Sequence, residues 1–273
     1  VGAQGGDLEA AVRAGLTAAG RGILVALSRA IMGAANPRDA AAVMRERINQ
    51  VRRDVRALSI SAMPAEKTLP EKQIEDLVVG LYEAGCVQFG SFTLKSGQTS
   101  PVYLDLRRTV GDPSLLRMVG RAYQCLLTPL AFDRLAAIPY AGLPIGTVVA
   151  LEMKRPLIYP RREAKTYGTA RAIEGAYKDG ETVVIVDDVI TTGASKIEVL
   201  APLRAAGLRV NDIVVLVDRE QGGAEELAAH GLRVHSVLTM TTLLDILVRR
   251  GRVSAEERQR VRTFLAAESG GRG

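Results

Sequence analysis

Val183-Val184-Ile185-Val186-Asp187-Asp188-Val189-Ile190-Thr191-Thr192-Gly193-Ala194-Ser195 sets three kinds of residue in a telling order. The apolar start reads as a buried strand, two carboxylates close it, and a loop of Thr, Gly and Ser opens a helix. Backbone N–H groups at such a turn, with a helix N-terminus behind them, form a cradle for a phosphate. Gly193 lets the backbone approach a ligand closely, and Thr191, Thr192 and Ser195 offer hydroxyls. Two carboxylates would repel the phosphate itself, so they should face hydroxyls, a metal or developing positive charge. A sugar phosphate satisfies both halves. The plain alternative is an ordinary strand-to-helix turn with an N-cap. A P-loop is excluded, because no Gly-Lys-Ser/Thr follows.

The same alternation extends in both directions. Strands are expected at 87–92, 102–105, 135–138, 157–160, 182–187, 212–217 and 233–238. Helices are expected at 71–84, 113–128, 142–153, 194–206, 222–230, 240–249 and 254–267. Apolar strands separated by helices of about a dozen residues imply an α/β fold with a parallel sheet flanked by helices on both faces. Ligands of such sheets sit at the carboxyl ends of the strands. Upstream, Asn36 and Pro37 open a helix to about Leu58, with Asn36 as N-cap and Pro37 in the first turn. Residues 22–27 form a short apolar run of the buried-strand type, and 59–70 read as a linker with two prolines. The chain starts at Val1 rather than Met, as though something upstream had been cut away.

Composition narrows the class. Of 273 residues, 47% are hydrophobic and 24% charged, the balance of a folded globular chain rather than a disordered or collagen-like one. Cys86, Cys125, His230 and His235 are all the cysteines and histidines, without metal-ligand spacing. Two cysteines without a secretory signal fit reduced thiols in the cytoplasm, and no apolar run is long enough to span a bilayer. The net charge of +6 is unevenly spread. Residues 1–62 hold nine Lys and Arg against five Asp and Glu, 249–273 hold seven against three, and the middle holds twenty against twenty-two. With a near-neutral centre, four Phe, seven Tyr and no Trp, nucleic acid is not an indicated partner, nor is a membrane.

Residues 183–195 resemble the phosphoribosyl-pyrophosphate (PRPP) motif of type I phosphoribosyltransferases. Three further stretches resemble orotate phosphoribosyltransferase in particular. Phe89-Gly90-Ser91-Phe92-Thr93-Leu94-Lys95-Ser96-Gly97, continuing through Ser100-Pro101-Val102-Tyr103-Leu104-Asp105, is similar to its amino-terminal signature. Arg161-Arg162-Glu163-Ala164-Lys165-Thr166-Tyr167-Gly168 is similar to its mobile catalytic loop. Asp218-Arg219-Glu220-Gln221-Gly222-Gly223 is similar to its base-side loop. The four occur in family order over about 71–268 and are nearest the transferase domain of UMP synthases.

The resemblance implies a type I phosphoribosyltransferase fold and a reaction: orotate and PRPP give orotidine 5′-monophosphate and pyrophosphate, with Mg²⁺ entering through PRPP rather than on a direct protein site. Asp187 and Asp188 would hold the ribose hydroxyls near the positive charge at C1. Residues Thr191, Thr192, Gly193, Ala194 and Ser195 would bind the 5′-phosphate. Lys95, Tyr103, Thr191 and Arg219 would contact orotate, Arg219 facing its polar edge. Arg161, Arg162 and Lys165 would bring cations to the pyrophosphate and, with Asp187 and Asp188, form the catalytic set. In the family the mobile loop closes over the neighbouring subunit's site, which implies a homodimer with shared active sites.

Taken singly, each residue has a blander reading: a polar turn for Lys95, a solvated basic loop for Arg161, Arg162 and Lys165, half-buried core for Tyr103. Two positions depart from the stand-alone bacterial pattern. Tyr167 stands where many such enzymes have histidine, and Ala141 where they often have lysine; both are similar to the UMP-synthase branch. Arg162 replaces a frequent lysine. His230, His235 and Asp105 receive no role.

Residues 1–62 carry a second resemblance. Gly2-Ala3-Gln4-Gly5-Gly6-Asp7, then Gly20-Arg21-Gly22-Ile23-Leu24-Val25 and Ser28-Arg29, are similar to the end of orotidine 5′-monophosphate decarboxylase, with Gln4 and Arg29 at its phosphate-binding positions. This would be a mostly helical appendage left from a TIM barrel, joined by a linker at 63–70. One strand cannot close a barrel, so no decarboxylase activity is expected. The competing functions are a purine-type phosphoribosyltransferase and a non-catalytic PRPP- or nucleotide-sensing regulator.

Overall fold

The computed structural model describes residues 31–61, 69–93, 97–161 and 172–270. The chain divides into two compact units, 1–66 and 67–273. In the first, α1 (Pro37–Ser61) is the described element. Its start follows the sequence: Asn36 Oδ1 accepts hydrogen bonds from the backbone N–H of Arg38 at 3.2 Å and of Asp39 at 3.3 Å. The helix runs through residues 59–61, beyond its expected end. The apolar run 22–27 lies outside the described residues.

In the second unit the chain passes through α2 (Glu71–Glu83), β1 (Val87–Thr93), β2 (Thr99–Leu104), a 3₁₀ turn (Leu106–Gly111), α3 (Pro113–Leu127) and β3 (Arg134–Ala137). There follow α4 (Gly142–Met153), β4 (Leu157–Pro160), β5 (Ile173–Glu174), β6 (Thr182–Ile190), α5 (Ala194–Ala205) and β7 (Arg209–Asp218). The last elements are α6 (Gly223–Ala229), β8 (Arg233–Thr239), α7 (Met240–Arg249) and α8 (Ala255–Gly270). Six strands form one sheet in the order β5-β4-β3-β6-β7-β8, parallel throughout except for β5.

Two features go beyond the sequence reading. Strands β1 and β2 do not join the parallel sheet; they pair with each other antiparallel, Val87 opposite Leu104. Their connection is only a few residues long, and a parallel pairing needs a crossover of a dozen or more. Strand β5 was not anticipated, because two residues carry no periodicity.

Central strands β6 and β7 are apolar on both faces for a visible reason. Val184 and Val186 of β6 enter a core built with α2, α3, α4, α7 and α8. Val183 and Ile185 enter a second core beneath α5 and α6. Each such side chain, fully buried, is worth about 1.5–3 kcal/mol. The carboxylates that follow are therefore held by a strand anchored on both sides.

Candidate active site

Strand β6 runs three residues past its expected end, to Ile190, which sits opposite Asp218 of β7. Asp187 and Asp188 thus belong to the strand. By period 2, Asp187 falls on the same face as Val183 and Ile185, toward α5. There its Oδ2 meets Lys196 Nζ at 2.6 Å, both side chains 7% exposed. Lys196 Nζ also lies 3.3 Å from Ser195 Oγ. Behind the strand, the buried Tyr123 of α3 donates its hydroxyl to the backbone carbonyl of Asp187 at 2.5 Å. Gly142, at the start of α4, comes so close that a Cβ there would lie 2.7 Å from Val186 O and 3.3 Å from Asp187 Oδ1.

Asp188 is half-buried, and its Oδ1 accepts from the backbone N–H of Val189 at 2.9 Å. Burial, and next the charge of Asp187, push its carboxyl up to about 7, while Lys196 pulls the other way. Burial and the same two carboxylates drive the Tyr123 phenol far above its usual range.

After Ile190 the chain turns through Thr191 and Thr192, both half-buried, to Gly193, which has φ +82°. That left-handed conformation favours glycine and aims the turn into α5. Ala194 and Ser195 are exposed at the helix start. The turn is backed by Gly223, whose added Cβ would lie 2.3 Å from the carbonyl oxygen of Thr191. A cavity of about 480 Å³ opens beside it, lined by Thr192, Ala194, Ile197, Gln221, Glu225 and Glu226 among others. Its two glutamates suit hydroxyls or cations better than phosphate.

The neighbouring strand end leads into the loop 218–223. The backbone N–H of Arg219 donates to Ile190 O at 3.0 Å, tying this loop to β6. Asp218 accepts from the N–H of Glu220 at 2.8 Å, and Glu220 accepts from the N–H of Thr241 at 2.7 Å. Gln221, buried, donates to Glu268 of α8. Against this rigid background the guanidinium of Arg219 stands out. Its Nε and Nη2 atoms are buried without a hydrogen-bond partner among the described residues. Burial pulls its pKa down, partly opposed by the charge of Glu268. An orphaned buried donor costs about 1–3 kcal/mol, so a ligand that accepts from it gains what the free protein forgoes.

The structure brings together Asp187, Asp188, residues 191–195 and Arg219, across two adjacent strand ends. Tyr103 lies on β2, half-exposed, with its ring stacked on Phe92 at 5.5 Å. Arg161, after β4, is engaged by Glu174 of β5. Lys95, Arg162 and Lys165 lie outside the described residues, as do Gln4 and Arg29. Sequence reasoning missed Lys196, Tyr123 and Gly142. Lys196 adjoins the motif, but nothing in its position marked it as a buried lysine.

Residues 114–233 match the phosphoribosyl transferase domain family. The chain is 39% identical to the orotate phosphoribosyltransferase of Caenorhabditis elegans over 196 residues, 71% of this chain and 86% of that protein. It belongs to the orotate phosphoribosyltransferase family. Two longer relatives extend the likeness. The bifunctional enzyme PyrF/PyrE of Nostoc is 39% identical over 259 residues, 93% of this chain and 54% of that protein. The solved structure of Leishmania donovani UMP synthase is 43% identical with a TM-score of 0.67, covering 98% of this chain and 55% of that one. The chain thus spans about half the length of these bifunctional relatives. As in other orotate phosphoribosyltransferases, its sheet is mostly parallel and flanked by helices, the type I fold.

Proposed function

We propose that this chain transfers the 5-phosphoribosyl group of PRPP to orotate, giving orotidine 5′-monophosphate and pyrophosphate in de novo UMP synthesis. The observation that carries this reading is the pairing of a carboxylate-and-hydroxyl site at the end of β6 with Arg219 at the end of β7, whose buried Nε and Nη2 lack a hydrogen-bond partner among the described residues. In the reaction the ribose C1–O bond breaks with its electron pair going to pyrophosphate, while a nitrogen of orotate forms the new bond to C1. Positive charge builds on the ribose between those events. The fixed negative charge of Asp187 and Asp188 stabilises it without reorganisation. Thr191 to Ser195 hold the 5′-phosphate, and the loop orients C1.

Arg219 answers the base. Its guanidinium matches the planar, anionic edge of orotate, and pairing there relieves its burial without a partner. Lys95, Tyr103 and Thr191 complete the orotate contacts in this reading. Arg161, Arg162 and Lys165 attend the pyrophosphate, with Arg161 exchanging Glu174 for it. Among the described residues no group of three His, Cys, Asp or Glu side chains could hold a metal ion. In this reading Mg²⁺ would enter with PRPP, and the positive charge it supplies there would favour departure of the pyrophosphate. A homodimer with shared sites in the cytoplasm completes the reading. Among the described residues no helix is long and apolar enough to cross a membrane.

Residues 1–62 are read as a partial orotidine 5′-monophosphate decarboxylase-like segment without activity of its own, followed by the linker 63–70 and the transferase domain 71–268. The likeness to UMP synthase over 98% of the chain supports this. The test is product analysis by chromatography with PRPP, Mg²⁺ and one base at a time. Orotidine 5′-monophosphate from orotate, and no nucleotide from adenine or hypoxanthine, is expected. A purine nucleotide as the main product would overturn the orotate assignment.

A further inference from the structure

The two carboxylates of β6 are not equivalent. Resting on the reading above, in which this strand end meets the ribose of PRPP, we propose that Lys196 is a positioning residue that fixes Asp187 in the wall of the site and leaves Asp188 to engage the sugar hydroxyls. Three elements converge on Asp187. Lys196 of α5 holds its Oδ2 at 2.6 Å. Tyr123 of α3 holds its carbonyl at 2.5 Å. The backbone of α4 at Gly142 closes against it, leaving no room for a Cβ. Asp187 is 5% exposed, whereas Asp188 is half-buried.

The charge arrangement makes the same division. Adjacent carboxylates in a desolvated site oppose each other's ionisation, and a cation relieves the conflict. Among the described residues, few groups face the pair from the packed elements. From α5 comes Lys196; from α3 comes the Tyr123 phenol, which stays neutral because burial and the two carboxylates drive its ionisation far up. Gly142 of α4 and Val215 of β7, opposite Asp187, carry no charge. Among the described residues Lys196 is thus the cation that pairs with Asp187, and it acts on Asp188 as well, pulling its raised carboxyl back toward the ionised form. Lys196 also adjoins Ser195 of the phosphate loop, which couples the ribose and phosphate halves of the site through one ammonium group.

The experiment compares the full chain with Lys196→Met and Lys196→Arg by two readouts. The first is the pH profile of kcat/KM for PRPP. Lys196→Met should move the acid limb upward by about one pH unit, a tenfold loss on the limb that recovers at alkaline pH, and Lys196→Arg should restore most of it. The second needs no substrate: carboxyl ¹³C NMR of the free protein, with Asp188→Asn to assign the signal, should show Asp188 titrating at higher pH in Lys196→Met. A loss equal at every pH, or Lys196→Arg as impaired as Lys196→Met while both keep the wild-type circular dichroism, would reduce Lys196 to packing and overturn the proposal. An unchanged Asp188 titration in Lys196→Met overturns it whatever the turnover. If the NMR shift appears but the wild-type chain transfers nothing to orotate, the function assigned above falls while the lysine–carboxylate arrangement stands.

Discussion

Gly223→Ala should damage the phosphate loop from a distance. Gly223 is the first residue of α6, and its φ is not among the positive ones, so alanine suits the local backbone. By helix propensity alone the change would stabilise by up to about 1 kcal/mol. The added methyl group, however, would lie 2.3 Å from Thr191 O and 2.7 Å from Ile190 Cγ1. An ordinary contact between carbon and a carbonyl oxygen needs about 3.3–3.6 Å, so the backbone at Thr191 must retreat by about 1 Å. A carbonyl in the main chain cannot rotate aside as a side chain can. Overpacking of this kind costs about 1–3 kcal/mol, which outweighs the propensity gain and leaves a net loss of about 1–2 kcal/mol. For a unit of this size the melting temperature should fall by about 2–8 °C. A displacement of about 1 Å in a substrate-positioning loop lowers kcat/KM by about 10²-fold, here chiefly through PRPP. Gly111→Ala serves as the control, since nothing lies within 4 Å of a Cβ there. A Gly223→Ala protein with wild-type melting temperature and wild-type KM for PRPP would refute the claim that Gly223 supports the loop.

Three further outcomes are expected. Arg219→Ala should raise the KM for orotate by about tenfold or more while leaving the melting temperature unchanged or higher, because it removes buried donors that lack a partner among the described residues; calorimetric melting beside steady-state kinetics checks both. Since the Asp188 carboxyl is raised to about 7 and in the proposed reading supplies negative charge to the ribose, kcat/KM for PRPP should fall as pH drops through about 7 and level off above it. A profile flat from pH 5.5 to 8.5 would contradict that role. Asp212→Asn tests the far edge of the sheet: burial alone would raise Asp212, yet Arg233 and His235 outweigh it and hold the carboxyl below its usual range. A depressed folded-state pKa contributes stability above the unfolded value near 4 that is lost as pH falls. The variant should therefore cost about 1–2 kcal/mol at pH 7, discounted because Arg233 is largely exposed, and progressively less in acid, as read by denaturant titration at both pH values.

Much of this site was legible because chemistry and periodicity coincide in β6. Four apolar residues predicted a strand buried on both faces; Asp187 and Asp188 were read as closing it, whereas the strand carries them within its last four residues and runs on to Ile190. The position of the loop 218–223 was legible for the same reason: β7 is a second apolar strand, and its last residue stands beside Ile190 by pairing. What could not be read was which of two adjacent carboxylates is buried. That depends on Lys196, Tyr123 and Gly142, brought together from three helices, and no local pattern records such a meeting. The partner of β1 and β2 was left open, because an alternating strand looks the same in a hairpin as in a sheet; only the short connection between them carried the answer. Arg161 was read as a cation awaiting a ligand, but its partner Glu174 lies in a strand too short to foresee.

Loss of orotate absorbance after mixing the chain with PRPP and Mg²⁺, run beside Asp188→Asn and Arg219→Ala, bears on both halves of the site at once. Turnover that requires Mg²⁺ and falls by at least about 10²-fold in Asp188→Asn, with Arg219→Ala impaired mainly in its response to orotate, is the predicted result. A wild-type chain that binds PRPP but leaves orotate unconsumed, or variants as active as the wild type, would contradict it.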